Sequence, residues 1–198
     1  MTFESSKYLS AVGALLIVIG AVAGFAISFS GILSLIGIIL VLIGVKGLAN
    51  FYKEQGIFNN ALYSVITIVV GCVVGVGVIA VSAVAALADL GVNLANIEDW
   101  ANIGTSIGTI FTDFDLSAIA TLLGALLIGL IILWVAFIIS MYFLRKSMNQ
   151  LSAKSGVGLF GTAGLLVLIG AVIPVIGLLL IWIGFIVATA AFFQMKKE

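Results

Sequence analysis

The side chains best suited to chemistry are acidic, and they lie in one stretch in the middle of the chain. Carboxylates at Glu98, Asp99, Asp113 and Asp115 could together gather a hard cation such as calcium. Their spacing lacks the EF-hand pattern, and a solvated acidic loop is the simpler interpretation. We keep the four residues as a candidate outer acidic cluster and predict no metal ion and no cofactor.

Catalytic side chains are scarce. The chain has no histidine, and its single cysteine, Cys72, lies within an apolar run. No nucleophile–base pair, intramolecular disulfide or Cys/His metal cluster can therefore form. The pair Asp113 and Asp115 has no supporting groups around it. We predict that the protein is not an enzyme, and the lack of a basic run excludes nucleic acid as a partner.

The composition is that of a membrane protein. Hydrophobic residues make up 64% of the 198 residues and charged residues only 8%. Soluble domains are nearer ~45–50% apolar and ~25% charged. A soluble fold of this length has too little interior to hide so much apolar surface. The lipid bilayer is therefore the expected partner.

The charges divide the chain into four uncharged stretches, 8–45, 55–88, 116–144 and 155–195. One span takes about 20 residues, so the first and last stretches are each long enough for a hairpin of two helices. Ser28, Ser30 and Gly31 mark the first turn, and Pro174, the only proline, marks the second. We predict an all-α polytopic membrane helix bundle forming a single domain, 1–198, with about six transmembrane helices. Their predicted bounds are 8–27, 31–50, 60–86, 118–143, 157–173 and 175–194.

The basic residues predict the orientation of these helices. Between Glu54 and Arg145 there is no lysine or arginine. Loops rich in Lys and Arg face the cytoplasm, so six spans with both termini cytoplasmic put every basic residue inside. The acidic outer loop, 87–117, then lies outside. The fifth helix is short and rich in glycine, so a re-entrant segment over 157–173 stays open as an alternative to a full span.

The outer loop contains one periodic segment. Ile97, Trp100, Ile103, Ile107 and Ile110 recur every three or four residues. This pattern predicts an amphipathic interfacial helix within 92–112, with Trp100 at the level of the headgroups.

The two end hairpins resemble each other. Residues 13–22 read GALLIVIGAV and residues 163–172 read AGLLVLIGAV. The offset falls from 150 to 140 further along, so the first hairpin (8–54) has about ten extra residues relative to the second (158–198). This suggests a duplication with the same orientation in both copies. Glycines at seven-residue spacing, such as Gly37 and Gly44, indicate close helix packing, either within the chain or along a homo-oligomer seam.

A polar segment at the inner side joins the second and third predicted helices. It reads KGLANFYKEQGIFNNAL over residues 46–62. Asn59 and Asn60 are expected to cap the third helix, and the remaining polar and aromatic groups to anchor at the interface. Lys46, the deepest charge, is expected to extend toward the interface or to pair with Glu54 or Glu198. The candidate inner-interface motif is Lys46, Gly47, Tyr52, Lys53, Phe58, Asn59 and Asn60.

This segment, together with the GLLVLIG…IGFIVATAAFF style of the C-terminal end, resembles the domain of unknown function 996 family. These are small integral membrane proteins found mostly in archaea. The resemblance runs over nearly the whole chain and implies an archaeal-type, multi-pass protein of the cell membrane. It implies no activity, substrate or site residue.

Two functions fit the sequence. The first is a non-enzymatic structural or assembly protein, a scaffold that forms a homo-oligomer or binds a membrane-protein partner. The alternative is a channel or carrier for a small neutral or lipid-like solute, which needs no charge at the bilayer midplane. Its route would be lined by the mid-helix hydroxyls of Ser64, Thr67, Thr121 and Ser140, whereas packing of these groups against neighbouring helices would contradict it.

Overall fold

A computed structural model describes residues 1–23, 30–89 and 116–196 of the chain. Every regular element in these residues is an α-helix, and there are six of them, which confirms the predicted fold class. They are α1 (Phe3–Ala23), α2 (Ser30–Phe51), α3 (Gln55–Asp89), α4 (Leu116–Ser155), α5 (Leu159–Val172) and α6 (Ile176–Gln194). The predicted amphipathic helix over 92–112 and the acidic cluster Glu98, Asp99, Asp113 and Asp115 lie outside the described residues.

Five of the six helices are long and apolar enough to cross a membrane by length and composition; α5, with 14 residues, is shorter. The chain divides into two compact units. The first unit is Met1–Thr67 with Phe137–Glu198, and the second is Ile68–Ala136. The first unit holds most of the buried apolar core, including Leu48, Ile57 and Phe160.

Three predicted helix ends are wrong, all in the polar part of the first unit. Helix α1 begins at Phe3 and not at residue 8, so Lys7 lies inside it. Helix α3 begins at Gln55, so Asn59 and Asn60 lie inside it and do not cap it. Helix α4 continues to Ser155, so Arg145, Lys146 and Lys154 lie on a helix and not in a loop. Reading charge as the end of a helix caused the errors in α1 and α4, because a helix that leaves the hydrocarbon can carry charged residues without interruption. The error in α3 came from reading Asn59 and Asn60 as a cap.

The turn between α2 and α3 explains the early start of α3. The N–H of Glu54 donates to the carbonyl of Ala49 (2.9 Å), and the N–H of Lys53 donates to that of Asn50 (3.3 Å). Lys53 has a φ of 53°. These bonds and this left-handed residue form a Schellman motif, which ends α2 and redirects the chain within three residues.

Helices α1 and α2 pack on each other through glycines. A Cβ at Gly37 would lie 2.6 Å from the carbonyl oxygen of Gly13, and a Cβ at Gly13 would lie 2.7 Å from that of Gly37. One heptad further along α2, a Cβ at Gly44 would lie 2.7 Å from the carbonyl oxygen of Ser6. No side chain fits between the two backbones at these positions, so these glycines serve packing within the chain.

The second hairpin turns sharply at Pro174, as predicted. Helix α5 ends at Val172 and α6 begins at Ile176. The N–H of Ile176 donates to the carbonyl of Pro174 (2.8 Å), and the N–H of Gly177 donates to that of Ile173 (3.0 Å). These bonds satisfy backbone groups that the proline turn would otherwise leave open.

The two hairpins differ in register. In the sequence repeat, Gly13 aligns with Ala163 and Gly37 aligns with Gly177. In the first hairpin, Gly37 packs on Gly13, so the same register in the second hairpin would place Gly177 on Ala163. Gly177 instead packs on Gly170, seven residues later. The second hairpin is therefore shifted by one heptad relative to the first. The duplication itself stays a prediction.

Ring and ion-pair contacts bring one end of each helix together in the first unit. The ring centroids of Phe3 and Tyr52 are 6.3 Å apart, and those of Phe160 and Phe192 are 4.8 Å apart. Tyr8 of α1 meets Phe193 of α6 at 6.4 Å. We call this the basic end, because all described lysines and arginines lie toward it: Lys7, Lys46, Lys53, Arg145, Lys146, Lys154 and Lys196.

Candidate functional site

The buried polar groups of the first unit lie between α3 and α4. The hydroxyl oxygens of Ser64 and Ser140 are 3.0 Å apart, and Ser140 Oγ also donates to the carbonyl of Ser64 at 2.9 Å. Ser64 is 5% exposed and Ser140 is 1% exposed. The two serines therefore join the two helices and do not line an open route.

Two further contacts continue this pattern toward the basic end. Ser147 Oγ donates to the carbonyl of Ile57 at 2.6 Å. Asn60 Nδ2 donates to the carbonyl of Gly56 (2.7 Å) and to Gln150 Oε1 (3.0 Å). Together with the ion pair between Lys154 and Glu54, these contacts make a continuous row, which we call the polar seam. Its residues are Glu54, Ile57, Asn60 and Ser64 on the α3 side, and Ser140, Ser147, Gln150 and Lys154 on α4.

The members of the polar seam differ in strength. The Lys154 Nζ–Glu54 Oε2 distance is 3.5 Å, but both side chains are more than a third exposed, so this pair contributes at most about 1 kcal/mol. The buried hydroxyl and amide bonds between helices contribute roughly 0.6 kcal/mol each on average, and up to about 1.7 kcal/mol. Four such bonds join α3 and α4 in the first unit, so together they contribute more to the register of the two helices than the ion pair does.

The predicted inner-interface motif is spread over α2, the turn and the start of α3. Lys46 Nζ lies 5.6 Å from the ring centroid of Phe58, a cation–π contact that ties α2 to α3. Glu54, one predicted partner of Lys46, pairs with Lys154 instead. The other, Glu198, lies outside the described residues.

The remaining motif residues have separate surroundings. Gly47 lies against the side chain of Ser6, and Tyr52 lies with its ring 5.1 Å from that of Phe51. Asn59 is exposed, whereas Asn60 is buried in the polar seam. The structure thus brings Lys46 and Phe58 together and places Asn60 in a separate contact, so the motif does not form one pocket.

An apolar groove lies between α1 and α6 in the first unit. It has a volume of about 490 Å³ and its lining is almost entirely apolar. Trp182 forms part of the wall, and its indole Nε1 donates to the carbonyl of Val18 at 3.2 Å. The other lining residues are Ile17, Val18, Ala21, Val22, Leu178, Leu179, Ile181 and Phe185.

The groove is lined by apolar side chains, and the polar side chains of the seam bond across α3 and α4. Among the residues that the structure describes, no three metal-binding side chains come together. Each buried side-chain nitrogen or oxygen in that part of the chain has a hydrogen-bond partner. Cys72, which lies within an apolar run of the sequence, is exposed on α3. The polar seam can hold α3 and α4 together, and the apolar groove can hold a hydrocarbon group.

Ser147, Gln150 and Trp182 were not predicted as contact residues. For α4 a signal was present, because Ser140, Ser147 and Lys154 recur every seven residues and so lie on one face of the helix. For Trp182 the sequence holds no such signal, since its partner is a backbone carbonyl on a helix 164 residues away.

The comparisons with known proteins agree with these features and add no activity. The profile of the family described as protein of unknown function DUF996 matches residues 33–190. An uncharacterised protein of Methanocaldococcus jannaschii, MJ1644, is 24% identical over 200 residues, covering 100% of this chain and 96% of that one. No solved structure matches the chain. Because the family profile covers most of the chain, including the helices that form the polar seam, this protein belongs to the DUF996 family.

Proposed function

We propose that this protein is a non-enzymatic membrane protein whose role is assembly, as a scaffold that binds copies of itself or a membrane-protein partner. The observation that carries the proposal is that the buried polar side chains form hydrogen bonds with one another. Ser64 with Ser140 and Asn60 with Gln150 use their side chains to join helices. Among the described residues, each buried side-chain nitrogen or oxygen has a hydrogen-bond partner.

The same serines argue against a polar route through the protein. A channel for a neutral polar solute needs hydroxyl or carbonyl groups directed into a continuous space. Ser64 and Ser140, two of the four hydroxyls expected to line such a route, are packed between helices. Thr67 is half-buried, and the side chain of Thr121 lies outside the described residues.

The proposed location is the cell membrane, with both termini in the cytoplasm. The grouping of seven basic residues at one end supports this orientation, because loops and helix ends rich in Lys and Arg stay on the cytoplasmic side. Lys46, Lys53, Lys146 and Lys196 are exposed there and suit the anionic headgroups of an inner leaflet.

The test is the native mass of the full-length protein in a gentle detergent and in lipid nanodiscs. The monomer mass is 20.5 kDa, so an assembly gives a multiple of this value, or a larger mass with a co-purified partner. A mass of one chain in both environments, over a wide range of protein concentration, would contradict the proposal. A bis-maleimide then tests whether exposed Cys72 lies near the interface between two copies of the chain. Cys72→Ser is the control that cannot cross-link.

The apolar groove between α1 and α6 favours a second candidate function, binding of a lipid-like solute. Its walls of aliphatic and aromatic side chains match a hydrocarbon chain and offer little to a polar molecule. Mass spectrometry of lipids that stay bound through purification tests it. An Ala21→Trp variant fills the groove, and equal lipid retention by this variant and the wild type would contradict the idea.

A further inference from the structure

The second hairpin is short compared with the thickness of a bilayer. Helix α5 has 14 residues, a length of about 21 Å, whereas the hydrocarbon core is about 30 Å thick. Because α6 begins only four residues after α5 ends, the start of α6 lies at the same depth as the end of α5. Whatever depth α5 reaches, the hairpin goes no deeper.

The first part of α5 lies beside a polar segment of α4. A Cβ at Gly161 would lie 3.7 Å from Asn149 Oδ1 and 3.8 Å from Ser152 Oγ. A Cβ at Gly164 would lie 3.2 Å from the Cα of Arg145. Residues 159–164 are therefore level with the polar end of α4 and contribute nothing to crossing the hydrocarbon.

The charges on α4 fix where the hydrocarbon begins. Lys146 and Asn149 are exposed, so they face whatever surrounds the protein at this level. A charged side chain at the bilayer centre costs roughly 2.5–3.5 kcal/mol even by the lowest estimates, so this level belongs to the membrane interface. From Gly164 to the end of α5 at Val172 the helix rises only about 12 Å, less than half of the hydrocarbon thickness.

The tip of the hairpin has the chemistry of a segment surrounded by lipid. It reads Ile173-Pro174-Val175-Ile176, without a charged or polar side chain. Val175 is 81% exposed and Ile176 is 71% exposed. A turn that reached the outer surface would expose these side chains to water, whereas within the bilayer their exposure is favourable. The backbone bonds of the turn meet the requirement that polar groups in lipid be paired within the protein.

Trp182, which follows the turn on α6, also supports a position of the hairpin within the hydrocarbon. Tryptophans at a membrane surface usually direct the indole N–H to water or headgroups. Trp182 donates instead to the carbonyl of Val18. This carbonyl belongs to a helix, so the indole takes a backbone acceptor in place of water, as expected within hydrocarbon.

We propose that the α5–α6 hairpin enters the bilayer from the basic side and does not cross it, with the turn at Ile173–Ile176 near the midplane, in contact with lipid acyl chains. The hairpin is then a wedge in one leaflet. Although α6 is long enough to cross, half of the hydrocarbon takes only about ten of its residues. A Cβ at Gly184 would lie 3.2 Å from the carbonyl oxygen of Ala163, so the part of α6 after Gly184 lies at the level of the basic interface. Helices α3 and α4, with 35 and 40 residues, have the length to cross completely.

Spin labels along α6 test this proposal in the full-length protein reconstituted in liposomes. In a Cys72→Ser background, single cysteines replace five exposed residues of α6: Ile176, Leu179, Ile183, Ile186 and Phe193. Each carries a nitroxide, and the ratio of its collision rates with oxygen and with a nickel chelate measures its depth. Since these side chains are exposed, the labels do not disturb the packed core.

The expected result is a ratio that is highest at position 176 and falls at each later site, over about 25 Å of helix rise. A helix that crosses the bilayer gives a different profile, with the maximum near position 183 or 186 and low values at both 176 and 193. That profile overturns the proposal, and so does a high nickel accessibility at 176, which would place the tip in water. Labels at Asn149 and Lys196 calibrate the basic interface, because both residues are exposed there.

Discussion

The glycine contact between α1 and α2 allows a prediction in which two opposing effects can be separated. Alanine at Gly37 is expected to favour the helical conformation by about 0.8–1.0 kcal/mol. Its Cβ would lie 2.6 Å from the carbonyl oxygen of Gly13 and 2.9 Å from Ile17 Cγ1. An ordinary contact is 3.4 Å or more, so the two helices must separate by several tenths of an ångström. Overpacking of this kind costs about 1–3 kcal/mol, so Gly37→Ala should be neutral to destabilising, by up to about 2 kcal/mol.

Gly77→Ala is the matched control, because a Cβ at Gly77 meets nothing within 4 Å and keeps only the favourable effect on the helix. The difference between the two variants cancels the helix propensity and should be about 1–3 kcal/mol, with Gly37→Ala the less stable. The assay is unfolding by SDS in mixed micelles, followed by circular dichroism. If the two variants unfold with the same free energy within about 0.5 kcal/mol, the close contact does not limit the packing of α1 on α2.

Three more variants test separate contacts in the same assay. Ser140→Ala removes both bonds to its serine partner on α3 and should lower the free energy of unfolding by about 0.6–2 kcal/mol; an unchanged value would mean that the polar seam is not formed. Lys53→Gly places glycine at a left-handed backbone position, which glycine adopts without strain, and should raise the free energy of unfolding by up to about 1 kcal/mol. A decrease would contradict the Schellman turn. Trp182→Phe loses the bond to a carbonyl of α1 and should lower the free energy of unfolding by about 0.5–1.5 kcal/mol; an unchanged value would mean that this bond does not hold α6 against α1.

The six helices of the described residues could be predicted from the sequence, and the reasons are specific. Four uncharged stretches and the proline at 174 were enough to give six helices, because a span has a fixed length and a proline without an N–H favours a turn. The start of α1 and the end of α4 were not predictable from charge. Arg145 and Lys146 look like a loop in the sequence, yet they continue α4, since both are good helix formers once outside the hydrocarbon.

The contacts between helices were mostly beyond the sequence. Ser64 and Ser140 are 76 residues apart, and their pairing depends on the register of α3 against α4, which no local pattern fixes. The packing role of the glycines was one of two interpretations, and the contacts of Gly13, Gly37, Gly170 and Gly177 within the chain favour it over the oligomer seam. The partner of the assembly stays a prediction.

The one-heptad shift between the two hairpins has a consequence for how this family can change length. With glycines every seven residues on the contact face, a hairpin can gain or lose seven residues in one arm and still present a glycine to the facing backbone. An insertion of three or five residues rotates the arm and puts a larger side chain at the contact. Lengths of related hairpins should therefore differ in steps of seven within the helices, and other differences should fall in the turns.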